Sequence, residues 1–319
     1  MKKDCRWAVG VDFGGTSVKI ALVNDEGEIK ARRRIVTNDV ASQGAWIEAV
    51  AHTVEELLKK DGHRTSISGV GVGVPGFVDF ARGYIYDLAN VPGWTGVHLA
   101  ELLEARLCTR VRVDNDVNAM ALGECTFGAG RAYQHALFVT LGTGVGGALL
   151  INNALYRGAF SMAGEVGHMP IEMHGLKSPQ GRGGLEQYVG NRRIAERAVK
   201  KIKDGRKSLI SDLCSGDYAL VTPELIHKAA EQGDALALEI FDFVAECLAT
   251  AFASVTYLLQ PQAIIVGGGI SLSGRVLFTP LRKHLNERLS PFFAERIEIK
   301  VADLGNDAGM IGSAALALM

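Results

Sequence analysis

The chain has 319 residues, of which 48% are hydrophobic and 22% charged, so it can bury a full core in two domains or one large one. Its 34 Lys and Arg residues balance 35 Asp and Glu residues, and the formal net charge is -1. This balance argues against a basic surface for nucleic acid or an anionic membrane. The N-terminus lacks the apolar core typical of a signal peptide, and no apolar stretch approaches the roughly 20 residues of a membrane span, so we expect neither a leader nor a membrane span.

Five cysteines are scattered along the chain, and none of them forms a Cys-x-x-Cys pair. An odd number at wide spacing indicates neither a disulfide framework nor a cysteine zinc site. A reducing compartment fits this usage. We therefore expect a cytoplasmic protein with no nucleic-acid and no membrane partner.

The first part of the chain predicts an α/β unit that begins with three strands. These strands are Trp7–Asp12, Val18–Asn24 and Glu28–Val36. Helical spacing of apolar residues and short buried runs then predict helix 43–61, strand Ile67–Val74, helix 98–107, strand Arg110–Asn115 and helix 117–126. The residues after Pro75-Gly76 are expected to form a polar loop.

The same pattern then restarts, so the order βββαβαβα occurs twice, with the second copy enlarged. Its predicted elements are strands Ala136–Leu141 and Gly147–Ile151, a third strand starting at Leu155–Arg157, helices within 185–233 with a loop near 203–217, helix 234–259, strand Ala263–Val266, helix 274–288, strand Ile297–Val301 and helix Asp307–Leu318. Repetition of a whole unit favours two α/β lobes around a cleft. We expect a small lobe of residues 1–117, completed by the C-terminal helix 305–319, and a large lobe of residues 118–304.

Two glycine-rich turns interrupt apolar strands in a similar way. One is Asp12-Phe13-Gly14-Gly15-Thr16, and the other is Leu141-Gly142-Thr143-Gly144-Val145-Gly146-Gly147. Glycine is used where φ must be positive or where a ligand approaches the backbone closely. Each turn alone is compatible with a plain hairpin, but together they would hold a polyphosphate from two sides. They indicate a nucleotide and phosphoryl transfer, although no Walker-type loop occurs.

Two aspartates follow apolar strands, and each has two interpretations. Asp12 is costly to bury unless it is paired or near a metal ion, so it either orients hydrated Mg²⁺ or caps its own turn. Asp116 is either the N-cap of the next helix or a general base that projects into the cleft. Both roles suit Asp116, because the helix dipole keeps a carboxylate at a helix start ionised.

Polar side chains and a glycine triplet in the second half suggest further ligand contacts. Glu165, His168 and Glu186 can exchange hydrogen bonds with the hydroxyls of a polyhydroxylated ligand, although a lone histidine is more often structural. Gly267-Gly268-Gly269 follows a buried strand. This triplet either lets a planar ring lie on the backbone or forms a strand-to-helix turn.

Taken together, these motifs resemble the ROK family (repressor, open reading frame, kinase) of bacterial sugar kinases and sugar-responsive regulators. The resemblance covers most of the chain and implies the two-lobed actin-like ATPase (ribonuclease H-like) fold. The matching segments are the phosphate motifs Gly10–Thr16 and Leu141–Gly147, the adenosine motif Val266–Ile270, the connecting segments Asn115–Ala119 and Asp307–Gly312, and the substrate-side loops Gly73–Gly76 and Leu88–Trp94.

The resemblance implies ATP-dependent phosphorylation of a hexose, with glucose at its 6-hydroxyl as the first candidate. Fructose, mannose, allose and N-acetylhexosamines remain alternatives. The implied catalytic base is Asp116, and the implied sugar-binding residues are Gly76, Asn90, Asn115, Asp116, Glu165, His168 and Glu186. The expected ATP-binding residues are Asp12, Gly14, Gly15, Thr16, Lys19, Gly142, Thr143, Gly144, Gly267, Gly268 and Gly269. Mg²⁺, oriented by Asp12 through water, completes the expected set.

The chain departs from the family pattern at a zinc motif. Many members have a histidine followed by Cys-x-Cys-Gly-x-x-Gly-Cys-x-Glu, and here only His168 and Glu186 remain. The cysteine positions hold Lys177, Pro179 and Gly184. Because a structural zinc site takes about four nitrogen or sulfur ligands, we predict no zinc and expect other contacts to order the segment 172–184.

Two other functions are compatible with parts of this pattern. A ROK-type sugar-sensing regulator would bind sugar without phosphorylating it, and such proteins begin with a helix-turn-helix. Here only six residues precede the first predicted strand. A structural or chaperone member of the actin-like superfamily would share the phosphate turns but not the sugar-binding set. Because ROK proteins are often dimers, we expect a homodimer.

Overall fold

The chain is described by a computed structural model that covers residues 5–37, 42–60, 67–88, 91 and 93–319. Its residues group into two compact units. The first unit contains the residues up to Tyr133, the segment Ala154–Ala163 and the segment Ala302–Met319. The second unit contains Gln134–Asn153 and Gly164–Val301.

The first unit is an α/β structure in which the predicted order of elements is recognisable. Its elements in chain order are β1 (Trp7–Phe13), β2 (Ser17–Asn24), β3 (Ile29–Val36), α1 (Gln43–Lys60), β4 (Val70–Val74), β5 (Gly76–Asp79), β6 (Tyr84–Leu88), α2 (Leu99–Leu107), β7 (Val111–Asn115) and α3 (Asp116–Phe127). Within the described residues, five of these strands form a sheet in the order β3-β2-β1-β4-β7. The β1–β2 and β2–β3 pairs are antiparallel, and the β1–β4 and β4–β7 pairs are parallel.

The remaining elements build most of the second unit. They are β8 (Ala136–Leu141), β9 (Val145–Ile151), β10 (Ala154–Tyr156, in the first unit), β11 (Lys177–Ser178), β12 (Gly181–Arg182), α4 (Glu186–Val189), α5 (Asn191–Lys203), α6 (Leu209–Leu213), α7 (Pro223–Glu231), α8 (Ala235–Leu259), β13 (Ala263–Gly267), α9 (Arg275–Arg288), α10 (Pro291–Ala294), β14 (Glu298–Val301) and α11 (Ala308–Leu318, in the first unit). The strand β8 pairs antiparallel with β9 and parallel with β13, and β13 pairs parallel with β14. This arrangement repeats the mixed pairing of the first unit and confirms the predicted α/β class.

Three short elements occupy segments that the sequence predicted as loops. The hairpin β5–β6 follows Pro75 where a polar loop was expected, and Val78 and Ile85 bury its inner face. The helix α6 interrupts the predicted loop 203–217, and Ile210 anchors it in the core. In each case buried apolar side chains stabilise a short element that the local sequence pattern does not predict.

The lobe boundary predicted between residues 117 and 118 falls at the start of α3. The whole of α3 belongs to the first unit, because this helix packs along α11. The first unit therefore extends to Tyr133 and also includes Ala154–Ala163, which the sequence pattern placed in the large lobe.

Each unit has its own core. In the first unit, the rings of Phe13, Trp46 and Trp94 meet with centroid distances of 4.8, 5.1 and 5.2 Å. The central strands β1 and β4 are buried along almost their whole length, as expected for strands covered on both faces. In the second unit, the long helix α8 contributes a buried stripe that includes Phe241 and Phe252.

The helix α11 covers one face of the first sheet at very close range. A Cβ added at Gly10 on β1 would overlap the carbonyl oxygen of Met310 on α11, and one added at Gly312 on α11 would overlap that of Ala119 on α3. Only a residue without a side chain allows the two backbones to approach this closely. The small residues of α11 are therefore a packing requirement.

We expect Gly312→Ala to lower the free energy of unfolding by about 3 kcal/mol, because backbone atoms cannot move aside as a flexible side chain can. Gly44 provides the matched control, since it also lies in a helix but a Cβ there would meet no atom within 4 Å. Urea denaturation of both variants measures the difference. An equal effect at the two positions would contradict the packing argument.

Candidate active site

Hydrogen bonds fix the backbone of the first glycine turn, and its outer face is exposed. The Gly14 amide donates to the Ser17 carbonyl at 3.0 Å, and the Thr37 hydroxyl donates to the Gly14 carbonyl at 3.0 Å. Gly15 and Thr16 are exposed, and a Cβ at Gly15 would meet nothing within 4 Å. The turn is thus fixed in shape while its outer face remains accessible.

Asp12 is a buried carboxylate near the end of β1, where the start of α11 packs against this strand. The residue is 8% exposed, and its Oδ2 lies 3.7 Å from Lys19 Nζ. A Cβ at Gly309 would come within 2.6 Å of the Asp12 Cγ, so the helix backbone packs directly on the carboxylate. Burial raises the pKa of Asp12 above its usual value, and Lys19 partly opposes this shift.

Asp12 also has the chemistry expected for an Mg²⁺–nucleotide site. Mg²⁺ usually keeps several waters and takes only one or two carboxylates, together with phosphate oxygens. One buried and incompletely compensated carboxylate beside an open glycine turn fits that requirement. Within the described residues, no three or more His, Cys, Asp or Glu side chains are grouped to hold a metal ion by themselves.

At the junction of β7 and α3, Asn115 is the N-cap of the helix. The Asn115 Oδ1 accepts the amide protons of Val117 at 2.9 Å and Asn118 at 3.2 Å. Asp116 is the first residue of the helix, and its Oδ1 accepts from the Val117 amide at 2.9 Å. The N-cap interpretation of Asp116 is therefore wrong, because the extended backbone of Asn115 places the capping oxygen one residue earlier.

Two predicted sugar-binding residues of the first unit contact each other. The Asn115 Nδ2 donates to the Gly76 carbonyl at 3.1 Å and so ties the start of β5 to the end of β7. The second amide hydrogen of Asn115 is chemically suited to donate to a ligand hydroxyl. Asn90, also predicted to bind sugar, lies outside the described residues.

In the second unit, Glu186, a predicted sugar-binding residue, contacts the second glycine turn. The Glu186 Oε2 accepts the Val145 amide proton at 2.9 Å. A Cβ at Gly144 would come within 2.5 Å of the same oxygen. The Gly142 carbonyl accepts from the Asn191 amide at 2.9 Å, which anchors the turn to the start of α5. Thr143 lies between these anchored positions and is exposed.

Glu165 and His168 lie beside each other in the same unit as Glu186. The Glu165 Oε2 is 3.6 Å from His168 Nε2, and both side chains are partly exposed. Burial raises the pKa of Glu165, His168 opposes this rise, and Glu186 adds to it. The charges of His168 and Glu186 therefore both act on Glu165.

Hydrogen bonds order the segment 172–184, where the family zinc motif would lie. The Leu176 amide donates to the Tyr188 hydroxyl oxygen at 3.0 Å, and the Arg182 guanidinium donates to the Gly175 carbonyl at 3.3 Å. The short strands β11 and β12 pair within this segment. Sequence reasoning missed Tyr188, whose only local signal is its position two residues after Glu186 in α4.

The glycine triplet at the end of β13 forms a tight turn that packs on the second glycine turn. Gly268 has φ of +83°, and a Cβ there would overlap the carbonyl oxygen of Leu141. The chain continues as a single 3₁₀ turn over Gly269–Ser273, so the strand-to-helix interpretation holds. A Cβ at Gly269 would meet nothing within 4 Å, which leaves an open backbone surface next to the second glycine turn.

A family model described as the ROK family matches residues 8–319. The chain belongs to the ROK family. This membership confirms the predicted resemblance.

Individual relatives agree with this assignment. The glucokinase of Halalkalibacterium halodurans is 37% identical over 315 residues, which cover 96% of this chain and 93% of that protein. The glucokinase of Thermotoga maritima is 34% identical over 310 residues, which cover 97% and 96%.

A solved structure extends the similarity to three dimensions. The crystal structure of a ROK family glucokinase from Streptomyces griseus in complex with glucose and AMPPNP matches with a TM-score of 0.82 and 31% identity, covering 98% of this chain and 99% of that one. The fold is therefore that of the ROK sugar kinases, in agreement with the predicted actin-like ATPase class. None of the described helices has the length and apolar character needed to cross a membrane.

We expect Asp12→Asn to raise the free energy of unfolding near neutral pH. Because burial raises the folded-state pKa of Asp12, the stability that its protonated form provides is present below the unfolded value and is lost as the pH rises through the folded value. The amide has no such loss, so the advantage of the variant is greatest near pH 8 and shrinks toward about pH 4. Urea denaturation across this range measures the trend.

Asp25→Asn is the control of opposite sign. A hydrogen bond from Cys5 lowers the pKa of the partly exposed Asp25, so its stabilisation is present above the unfolded value and lost as the pH falls. Its amide variant should be no more stable than wild type at neutral pH. A gain in both variants would mean that general charge removal, not burial, is responsible.

Proposed function

We propose that this protein transfers the γ-phosphoryl group of ATP to the 6-hydroxyl of glucose. The observation that carries the proposal is the similarity to curated glucokinases, which are 37%, 34% and 34% identical over nearly the whole chain. The glucose and AMPPNP complex of a protein with this fold supports the same pair of ligands. The predicted polar residues, with the roles described below, suit both ligands.

The two glycine turns are the proposed phosphate-binding elements. Exposed backbone at Gly15 and an exposed Thr16 offer amide and hydroxyl donors in one turn, and Thr143 and Gly144 offer them in the other. Asp12 and Lys19 are assigned to the same phosphate region. Mg²⁺ bound with the nucleotide would offset the phosphate charge, and Asp12 would hold that ion through water.

Asp116 is the proposed general base. It lies at the start of α3, where the helix dipole favours negative charge, and this placement suits a group that accepts the proton of the attacking hydroxyl. Its own hydrogen bond from the Val117 amide restricts its rotation. In phosphoryl transfer most of the rate gain comes from positioning and electrostatics, so a fixed carboxylate at this point is the main requirement.

The sugar hydroxyls are the proposed partners of Glu165, His168, Glu186 and Asn115. Ionised carboxylates accept from hydroxyls, and an imidazole can donate or accept. Because the Glu165 pKa is raised, this acceptor becomes protonated at a higher pH than an ordinary glutamate. Sugar affinity should therefore weaken on acidification.

Asp116→Asn should retain sugar binding and lose at least about 100-fold in turnover, because a general base is typically worth 10²–10⁴-fold. Calorimetric binding of glucose and coupled measurement of ADP release separate the two properties. Asp212→Asn, an exposed aspartate on α6, provides the charge-matched control and should behave as wild type. Near-normal turnover of Asp116→Asn would remove this residue from the mechanism.

A sugar panel tests the substrate directly. With ATP and Mg²⁺, we expect kcat/KM for glucose to exceed that for fructose, mannose, allose, N-acetylglucosamine and N-acetylmannosamine by about tenfold or more, because buried polar groups left unpaired penalise the wrong isomer. Preference for another sugar would replace glucose in the proposal. Sugar binding with no ADP release from any of them would instead favour a sugar-sensing regulator.

We also infer a cytoplasmic homodimer. All five cysteines are free, which suits a reducing compartment. The dimer is inferred because ROK proteins are often dimers. Light scattering of the purified protein tests it directly.

A further inference from the structure

Asp114, next to the proposed catalytic segment, is a buried carboxylate with four hydrogen bonds. It is 1% exposed. Its Oδ1 accepts from the Asn115 amide at 2.8 Å and from Asn118 Nδ2 at 3.0 Å. Its Oδ2 accepts from Arg157 Nε at 2.9 Å and Nη2 at 2.6 Å. The burial of this charge is thus compensated by a guanidinium and two further donors.

Arg157 reaches this carboxylate from a distant part of the chain, 43 residues away. It follows β10, within the segment that belongs to the first unit. Its guanidinium stacks on the ring of Phe80 at 3.7 Å from the centroid. This stack restrains the plane of the guanidinium, and the bidentate contact then restrains the orientation of Asp114.

These contacts close a ring around the start of α3. Phe80 follows β5, whose first residue is Gly76, and the Gly76 carbonyl accepts from the Asn115 side chain. From Asn115 the ring passes to Asp114, to Arg157 and back to Phe80. Asp116 extends from the point where this ring meets the helix. Because Asp116 directly follows Asn115, the ring anchors the backbone from which the Asp116 side chain extends.

We propose that Arg157 is a positioning residue for Asn115 and Asp116, and that it acts through Asp114. This proposal deepens the function proposed above and rests on it for its catalytic consequence. A planar guanidinium donates two parallel hydrogen bonds and stacks on an aromatic ring, and an ammonium group offers one charge without either fixed geometry. Arg157→Lys therefore keeps the charge pair and removes the geometry.

We expect Arg157→Lys to lower kcat by about tenfold or more while KM for ATP changes by less than about threefold, since misplacing a reacting group affects the rate more than nucleotide binding. Arg106→Lys is the matched control. Arg106 in α2 of the same unit also pairs with two carboxylates, Glu48 at 2.9 Å and Glu55 at 2.6 Å, but has no contact in the ring. Its variant should keep wild-type kcat and KM.

Hydrogen exchange provides a readout that does not depend on activity. The Asn115 side chain protects the amides of Val117 and Asn118. In Arg157→Lys these amides should exchange about tenfold faster, while amides in the distant helix α8 keep their wild-type rates. Arg106→Lys should leave the amides of Val117 and Asn118 unchanged.

Two results would overturn the proposal. One is an Arg157→Lys variant with wild-type kcat and wild-type exchange at Val117 and Asn118. The other is faster exchange throughout the chain with a matching fall in melting temperature, which would make Arg157 a general stabiliser. If wild-type protein phosphorylates no sugar, the proposed function fails, and the exchange measurement still decides whether Arg157 positions the segment.

Discussion

The backbone contact between α11 and the first sheet is the constraint on which the first half of the candidate site depends. Glycine at Gly10 and Gly312 lets α11 lie against β1 and α3 with no side chain between them. Asp12 lies near the end of β1 against the start of α11, and Asp116 begins α3. Both carboxylates therefore stand on elements that this contact holds together. Positions fixed by backbone packing vary less than positions on loops, which suits groups that must meet a reacting atom.

The second unit uses one carboxylate for two purposes. Glu186 belongs to the predicted sugar group, and it also accepts a hydrogen bond from the first residue of β9, directly after the second glycine turn. Its charge also raises the pKa of Glu165, another member of the predicted sugar group. A ligand that changes the hydrogen bonding of Glu186 therefore acts on the turn as well. This coupling needs no large rearrangement, because one side chain belongs to both groups.

The sequence predicted the features that have local signals, and it missed those that depend on distant contacts. Strands, glycine turns and the polar residues after them are encoded by short patterns, so their placement could be anticipated. The cap at Asn115 was assigned one residue too late because Asn and Asp are both good caps and only backbone conformation separates them. The pair of Asp114 with Arg157 and the contact of Tyr188 with the segment 172–184 have no local signal. The proposed roles of the site residues stay predictions.

The first unit is assembled from chain segments that flank the second unit, and this order has a consequence for biosynthesis. Domains usually fold from the N-terminus as they leave the ribosome. Here the backbone of β1 at Gly10 packs directly on α11, which is translated after all of the second unit. The first unit therefore keeps part of this sheet uncovered until α11 (Ala308–Leu318) has been synthesised. During that interval the exposed apolar surface is open to aggregation.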